Sequence, residues 1–307
     1  MTTIIGTIAI LLAVYALAAG SGIFAERSGT INLSIEGGMI MGALGYVLTA
    51  QTFVDNDYQL TGAIAFLSVL VGMVFGIITT SLLSFTAINL RGDQVVIGTA
   101  INIAAPVISL ITIVILTKGN FSTPTTSIQI TINLIDKLKA YQVQLLIAGL
   151  VLVLMVGLFV LMRMTRFGLR LRAAGENPHA LASSGVSVLK IKHFAMLISG
   201  SLAGLAGALV VSSYSKFSSY TNTTLGMGFI AIAILILGQW RLQWTILGSL
   251  IFAAMFAIVD YYAIELDEYK YILALLPYAF TILVLPIISR WSKPPAADGI
   301  PYVNSGR

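Results

Sequence analysis

Asn32 and Glu36 stand four residues apart inside an otherwise apolar run, Thr30 to Phe53, a spacing that places both on one face of a helix. An ionised carboxylate at membrane depth costs at least about 2.5 to 3.5 kcal/mol. Glu36 must therefore meet a water-filled cavity or a partner, such as Arg27 or a neighbouring asparagine. The chemistry open to these groups is hydrogen bonding, not bond making. His179 and His193 show no H-E-x-x-H spacing and no cluster of ligands, which argues against metal catalysis. No G-x-S-x-G elbow occurs, and neither histidine is placed to activate a serine within an apolar run, so a membrane hydrolase has little support. Gly-Lys-Ser and Gly-Lys-Thr are absent, so the chain lacks the phosphate-cradling loop G-x-x-x-x-G-K-[ST] and is expected to bind no ATP by that route. With no cysteine, disulfides, iron–sulfur clusters and cysteine nucleophiles are also excluded.

A second constellation runs from Thr165 to Lys192. Asn177 is a good N-cap, Pro178 suits the first helical turn, and Gly185 is a good terminator. Together they outline a helix of about two turns, whose face would offer Ala180, Leu181 and Ser184 between charged flanks. A short helix of this kind suits insertion into a groove on a partner protein. The alternative is a structured loop that carries basic topogenic residues.

The elements that position these groups must be membrane helices. Of 307 residues, 58% are hydrophobic and 9% charged, against roughly 25% charged in soluble domains, and the mean hydropathy is +0.96. Nine charge-poor runs approach the roughly 20 residues that a bilayer core requires: Thr3 to Ala25, Thr30 to Phe53, Leu60 to Leu90, Gln94 to Thr117, Tyr141 to Met162, His193 to Ser212, Thr224 to Gly238, Trp244 to Tyr261 and Tyr271 to Ser289. The third run is long enough to tilt, extend or break in two, so the expected fold is an all-α polytopic bundle of about eight to ten transmembrane helices. No polar segment is long enough to fold separately, and residues 1–307 read as one transmembrane domain. Small residues recur three or four apart at Gly38 and Gly42, Gly72 and Gly76, Gly200 and Gly204, and Ala203 and Gly207, which predicts close helix packing.

Sidedness follows from short basic loops. Residues 163–192 hold Arg163, Arg166, Arg170, Arg172, Lys190 and Lys192 against Glu176 alone, which places this loop in the cytoplasm. The tail, residues 290–307, carries Arg290, Lys293 and Arg307 against Asp298 and falls on the same side. The acidic connections, Asp55 with Asp57 and Glu265 with Asp267 and Glu268, then fall outside, as does the N-terminus. The net charge of +5 and pI near 9.4 are thus assigned to cytoplasmic loops facing membrane lipids, with no nucleic acid partner. The external stretch Lys118 to Ala140 has an apolar patch from Ile128 to Leu138; it reads first as an ordinary connection, with a short interfacial helix that would suit a docking surface as the alternative.

Gly175-Glu176-Asn177-Pro178-His179-Ala180, followed by Gly185-Val186 and Lys190, resembles the cytoplasmic coupling segment of ABC importer permeases of the branched-chain amino acid, ribose and nucleoside group. Glu26-Arg27-Ser28-Gly29-Thr30-Ile31-Asn32-Leu33-Ser34-Ile35-Glu36-Gly37 resembles the E-R-S-G-x-I-N-L-x-x-E-G signature of the nucleoside branch, departing at Ser34, where glycine is expected, and at Gly38 just beyond, where a larger apolar residue is usual. Leu90 to Val96 and the tail from Lys293 to Tyr302 are similar to two further blocks of that branch. The resemblance implies a multi-pass permease subunit of the bacterial plasma membrane that is not itself an enzyme and binds no cofactor. It implies as partners a cytoplasmic ABC ATPase that uses ATP, a second homologous permease, an extracytoplasmic substrate-binding lipoprotein and a nucleoside substrate. Gly175, Glu176, Asn177, Pro178, Ala180, Leu181 and Gly185 would couple to the ATPase. Asn32, Glu36, Asn89 and Asn102 would line the pathway, where amides and a carboxylate can pair with base edges or ribose hydroxyls. A sugar or amino acid substrate is the nearest alternative; a secondary transporter, with Glu36 and Asp260 as its acids, is the next.

Overall fold

The computed structural model describes residues 2–56, 62–120, 123–124, 139–214, 219–220, 222–265, 270–290 and 292–303. The apolar runs fold as helices: α1 (Thr2–Glu26), α2 (Ile35–Asp55), α3 (Gly62–Ser84), α4 (Gln94–Leu116), α5 (Ala140–Met164), α6 (Arg166–Glu176), α7 (Pro178–Ser183), α8 (Val188–Ser213), α9 (Met227–Leu237), α10 (Leu242–Glu265) and α11 (Lys270–Ser289). Among the described residues, seven helices are long and apolar enough to cross a membrane: α1 to α5, α8 and α10. The run from Leu60 to Leu90 is one span. Its helix passes without a break into a π-helical turn, Phe85–Asn89, and reaches 28 residues in all.

The expected span from Thr224 to Gly238 is helical over only part of its length. Its helix, α9, has 11 residues, about 16 Å at 1.5 Å per residue, or half of a hydrocarbon core of about 30 Å. The chain ahead of it, residues 222–226, is irregular. Non-helical backbone at this depth is tolerated only where other protein groups satisfy it, and Glu36 does so here.

Helix α1 is the axis of the bundle. Between residues 9 and 26 only Leu12 escapes full burial, as befits a helix that is apolar on every face. Helices α2, α3 and α8 cross beside it through the small residues noted above. A Cβ added at Gly42 would lie 2.5 Å from the Gly204 Cα, one at Gly76 2.6 Å from the same atom, and one at Gly72 2.7 Å from the Gly42 carbonyl oxygen. In lipid, where apolar burial between helices gains little, such backbone approach is what holds helices together. The outer faces of α3, α4 and α5 instead present Phe66, Ile78, Ile103, Ile115, Leu150 and Val153, all exposed, as an apolar surface suited to a bilayer.

The two ends of the bundle differ. At one end, β1 (Thr123–Pro124) pairs antiparallel with β2 (Ser219–Tyr220), with Thr123 opposite Tyr220, joining the connections that follow α4 and α8. At the other gather α6, α7, the loop between α1 and α2, and the tail, where the Ala297 N–H donates to the Gly175 carbonyl at 2.8 Å. We call this the basic end. The apolar patch from Ile128 to Leu138, with its alternative of an interfacial helix, and Asp57, Asp267 and Glu268, lie outside the described residues.

Candidate functional site

Glu36, in the first turn of α2, closes on the amino terminus of α9. Its Oε1 accepts from the Thr224 hydroxyl at 2.6 Å and the Gly226 N–H at 3.1 Å, while its Oε2 accepts from the Gly228 N–H at 2.6 Å. Gly226, the residue before α9, has φ +75° and no side chain with which to cap the helix. The carboxylate of a distant helix therefore supplies the cap, and its charge also complements the positive end of the α9 dipole. The approach needs glycine at residue 228, where a Cβ would lie 2.5 Å from the Glu36 Cα. Neither Arg27 nor an asparagine, the partners expected from sequence proximity, fills this role. Arg27 donates from Nε to the Trp240 carbonyl at 3.0 Å and pairs with Glu176 at 3.8 Å. Burial lowers the Arg27 pKa, and Glu176 partly opposes that shift. Glu176 is 57% exposed on its side chain, so the ion pair contributes little.

Asn32 and Asn102 tie down the irregular chain that separates α1 from α2. Asn32 donates from Nδ2 to the Ser199 hydroxyl at 2.8 Å, and its Oδ1 accepts from the backbone N–H and the hydroxyl of Ser34 at 3.0 and 2.7 Å. Ser34, a departure from the resembling signature, thus adds a bond that glycine could not make. Asn102 donates from Nδ2 to the Leu33 carbonyl at 2.7 Å and accepts the Gly37 N–H at 2.8 Å. The Ile31 N–H reaches the Gln94 Oε1 at 2.6 Å. Gln94 is held in place by the start of α4, where the Asp93 carboxylate caps the Val95 and Val96 N–H groups at 2.8 and 3.0 Å. The Arg91-Gly92-Asp93-Gln94 stretch is thereby a turn, a cap and a tether in succession. Asn32, Glu36 and Asn102 are brought together. Asn89 stands apart at the basic end of the α3 helix, where its Oδ1 lies 2.8 Å from the His193 Nε2 and the His193 Nδ1 lies 2.7 Å from the Ser84 hydroxyl.

At the basic end, α6 and α7 form a bent pair. Thr165 caps α6, its hydroxyl accepting the Gly168 N–H at 3.1 Å, and Asn177 caps α7, its Oδ1 accepting the Ala180 N–H at 3.0 Å. Pro178 occupies the first helical turn, and Gly185 follows the helix at φ +81°, a conformation that glycine adopts without strain. The predicted boundaries are met, but the predicted face is not. Leu181 is 5% exposed and joins the main hydrophobic core, which anchors α7 to the bundle. The outward face offers His179, Ala180, Ser183 and Ser184, with Glu176 and Asn177 at its start. Gly175 also faces inward, where a Cβ would lie 3.0 Å from the Arg27 carbonyl carbon and 3.1 Å from the Gly29 nitrogen. The end of α6 therefore rests directly on the loop that leads to Asn32 and Glu36.

Sequence reasoning did not find Thr224, Gly226, Gly228, Ser199 or Gln94. The available signals were the place of Gln94 in the Leu90 to Val96 block and Gly226-Met227-Gly228 opening a short apolar run.

Helices that stop half-way, with their freed backbone groups taken up by buried side chains, are a device of proteins that move solutes across membranes. Residues 4–285 match the family described as "Branched-chain amino acid transport system / permease component", and the chain belongs to that family. It is 34% identical over 277 residues to "Uncharacterized protein MG121" of Mycoplasma genitalium, covering 88% of this chain and 87% of that protein. It is 32% identical over 298 residues to "Nucleoside ABC transporter permease protein NupC" of Lactococcus lactis subsp. cremoris, with 92% and 91% covered. It is also 32% identical over 308 residues to "Guanosine ABC transporter permease protein NupQ" of Bacillus subtilis, with 95% and 93% covered. No solved structure matches the chain.

Proposed function

We propose that residues 1–307 act as one permease domain, the membrane-spanning subunit of an ATP-driven nucleoside importer in a bacterial plasma membrane. Its partners are a cytoplasmic ATPase, a second permease of the same family and an extracytoplasmic substrate-binding lipoprotein. The observation that carries this reading is α7, a separately capped helix that rests on the bundle through Leu181 and turns Ala180, Ser183 and Ser184 outward at the basic end. The substrate class rests on the two relatives named for nucleosides and guanosine.

In this account the ATPase moves α7 and α6, and Gly175 presses that motion onto Arg27 and Gly29. The loop beyond them is held by Asn32 and Asn102 and leads to Glu36, whose carboxylate holds α9. The bundle is thereby biased between outward-open and inward-open states, while ATP and the binding protein set the populations. Asn32, Glu36 and Asn102 form the inner pathway wall and Asn89 its cytoplasmic end. Their present hydrogen bonds go to the protein, so they meet substrate only as those bonds exchange.

The test is uptake of tritiated guanosine by vesicles containing the full complex. Uptake is expected to stop with vanadate and to persist with an uncoupler; the reverse would make this chain a secondary transporter. Within the same assay, Glu36→Gln removes the charge and turns an amide NH2 toward an α9 N–H. Hydrogen bonds to charged groups contribute about 1.5 to 3 kcal/mol, so uptake is expected to fall about tenfold, with the ATPase still retained. Thr224→Ala removes only the hydroxyl bond and should cost less, and the double variant should transport no better than Glu36→Gln alone. Unchanged uptake in Glu36→Gln would remove Glu36 from the route.

A further inference from the structure

The tail is folded onto the coupling region. Asp298 N–H donates to the Pro295 carbonyl at 3.1 Å and Ile300 N–H to the Ala297 carbonyl at 3.3 Å, so residues 295–300 form two successive turns. From these turns the chain touches three separate parts. Ala297 donates to the last turn of α6 through the Gly175 carbonyl at 2.8 Å. The Ala297 carbonyl oxygen and Gly299 rest on the loop between α1 and α2, where a Cβ at Gly29 would lie 3.0 Å from that oxygen and a Cβ at Gly299 2.7 Å from the Cδ1 of the loop's Ile31. The Tyr302 ring lies 5.3 Å from the His179 ring on α7, with the planes at 52°.

Charge adds to this grip. Lys192 at the start of α8 donates to the Gly29 carbonyl at 2.8 Å and attracts the Asp298 carboxylate. Burial pushes the Asp298 pKa up to about 7, with Lys192 and the Gly299 N–H pulling it back. A purely topogenic tail would need none of these contacts.

We propose that residues 295–302 are a strap that fixes α7 at a set angle to the loop between α1 and α2, so that displacement of α7 reaches Glu36 without bending at Gly175. Tyr302, Ala297 and Gly299 are positioning residues. This rests on the importer reading above, because the strap matters only if a partner moves α7. Without it, α6 and α7 still carry their own caps and the Leu181 anchor, and the partner still finds its surface. What is lost is the transmission of movement.

The experiment uses the full complex in vesicles, with Tyr302→Ala, Tyr302→Phe, Gly299→Val and a chain ending at Lys293. The readouts are retained ATPase, ATP hydrolysis stimulated by the binding protein, and guanosine taken up per ATP hydrolysed. For Tyr302→Ala and Gly299→Val, retained ATPase and hydrolysis should stay within twofold of the starting protein. Uptake per ATP should fall at least fivefold, with Tyr302→Phe close to normal because the ring contact survives. The shortened chain should show the same uncoupling if it inserts, and the point variants decide the matter if it does not. Uptake per ATP unchanged in both point variants would overturn the strap, as would a parallel fall in uptake and hydrolysis, which marks a structural role. Absence of any ATPase with the unaltered chain would instead overturn the importer reading and the strap with it.

Discussion

Gly185→Val is expected to reduce nucleoside uptake to background while the chain remains inserted at its normal level. Gly185 sits at φ +81° with nothing within 4 Å of an added Cβ, so the substitution meets no steric clash. Its effect acts through the backbone alone, because a β-branched residue resists the left-handed conformation that ends α7. The helix end then shifts, and with it the outward face of Ala180, Ser183 and Ser184. Two companion variants make the effect specific. Gly185→Asn should retain most uptake, since asparagine tolerates that conformation. Asn177→Leu loses a cap contributing about 1 kcal/mol and should transport poorly, whereas Asn177→Asp keeps the cap and should transport well. Uptake by Gly185→Val equal to that of the starting protein would remove the coupling role from α7.

Gly204→Val is expected to destabilise the fold itself rather than to uncouple it. An added Cβ would lie 2.5 Å from the Gly72 carbonyl oxygen and 3.0 Å from the Gly76 Cα, and both are backbone atoms that cannot swing aside. Separating α8 from α3 would also break the approach of α2, since Gly42 packs on the same residue. Overpacking costs about 1 to 3 kcal/mol in a well-packed core, and more where backbone must move. The melting temperature in detergent should fall by at least about 6 °C, with most of the protein lost from the monodisperse peak in size-exclusion chromatography. Gly149→Val is the control, because an added Cβ on that residue of α5 meets nothing within 4 Å. A Gly204→Val protein that melts with the Gly149→Val control would refute the three-helix crossing.

Features set by local chemistry were legible in the sequence. Asn177, Pro178 and Gly185 bounded α7 correctly because capping depends on neighbours three or four residues away. The pairs of small residues on α2, α3 and α8 announced the close crossing, because in lipid such spacing has few other uses. Long-range pairing was not legible. Glu36 was recognisable as a buried acid that needed a partner, yet the partner is the start of α9, almost two hundred residues further on. The half-length of α9 was missed for the same reason, since a run of apolar residues does not show where backbone satisfied by a distant carboxylate replaces helix. Leu181 was placed on the outward face by its position within a short helix, but which face turns inward is decided by the packing of α7 on the bundle core. The tail read as a short basic extension because proline, alanine and glycine carry no periodicity that would announce docking on Gly175 and Ile31.

The central claim is that this permease works as one subunit of an ATP-driven assembly. Its most direct test is a mild-detergent pull-down of the tagged chain from its native membrane, with mass spectrometry of everything retained. The account predicts an ABC ATPase and a different permease of the same family in stoichiometric amounts. Recovery of this chain alone, and its activity in liposomes under an ion gradient without ATP, would contradict it.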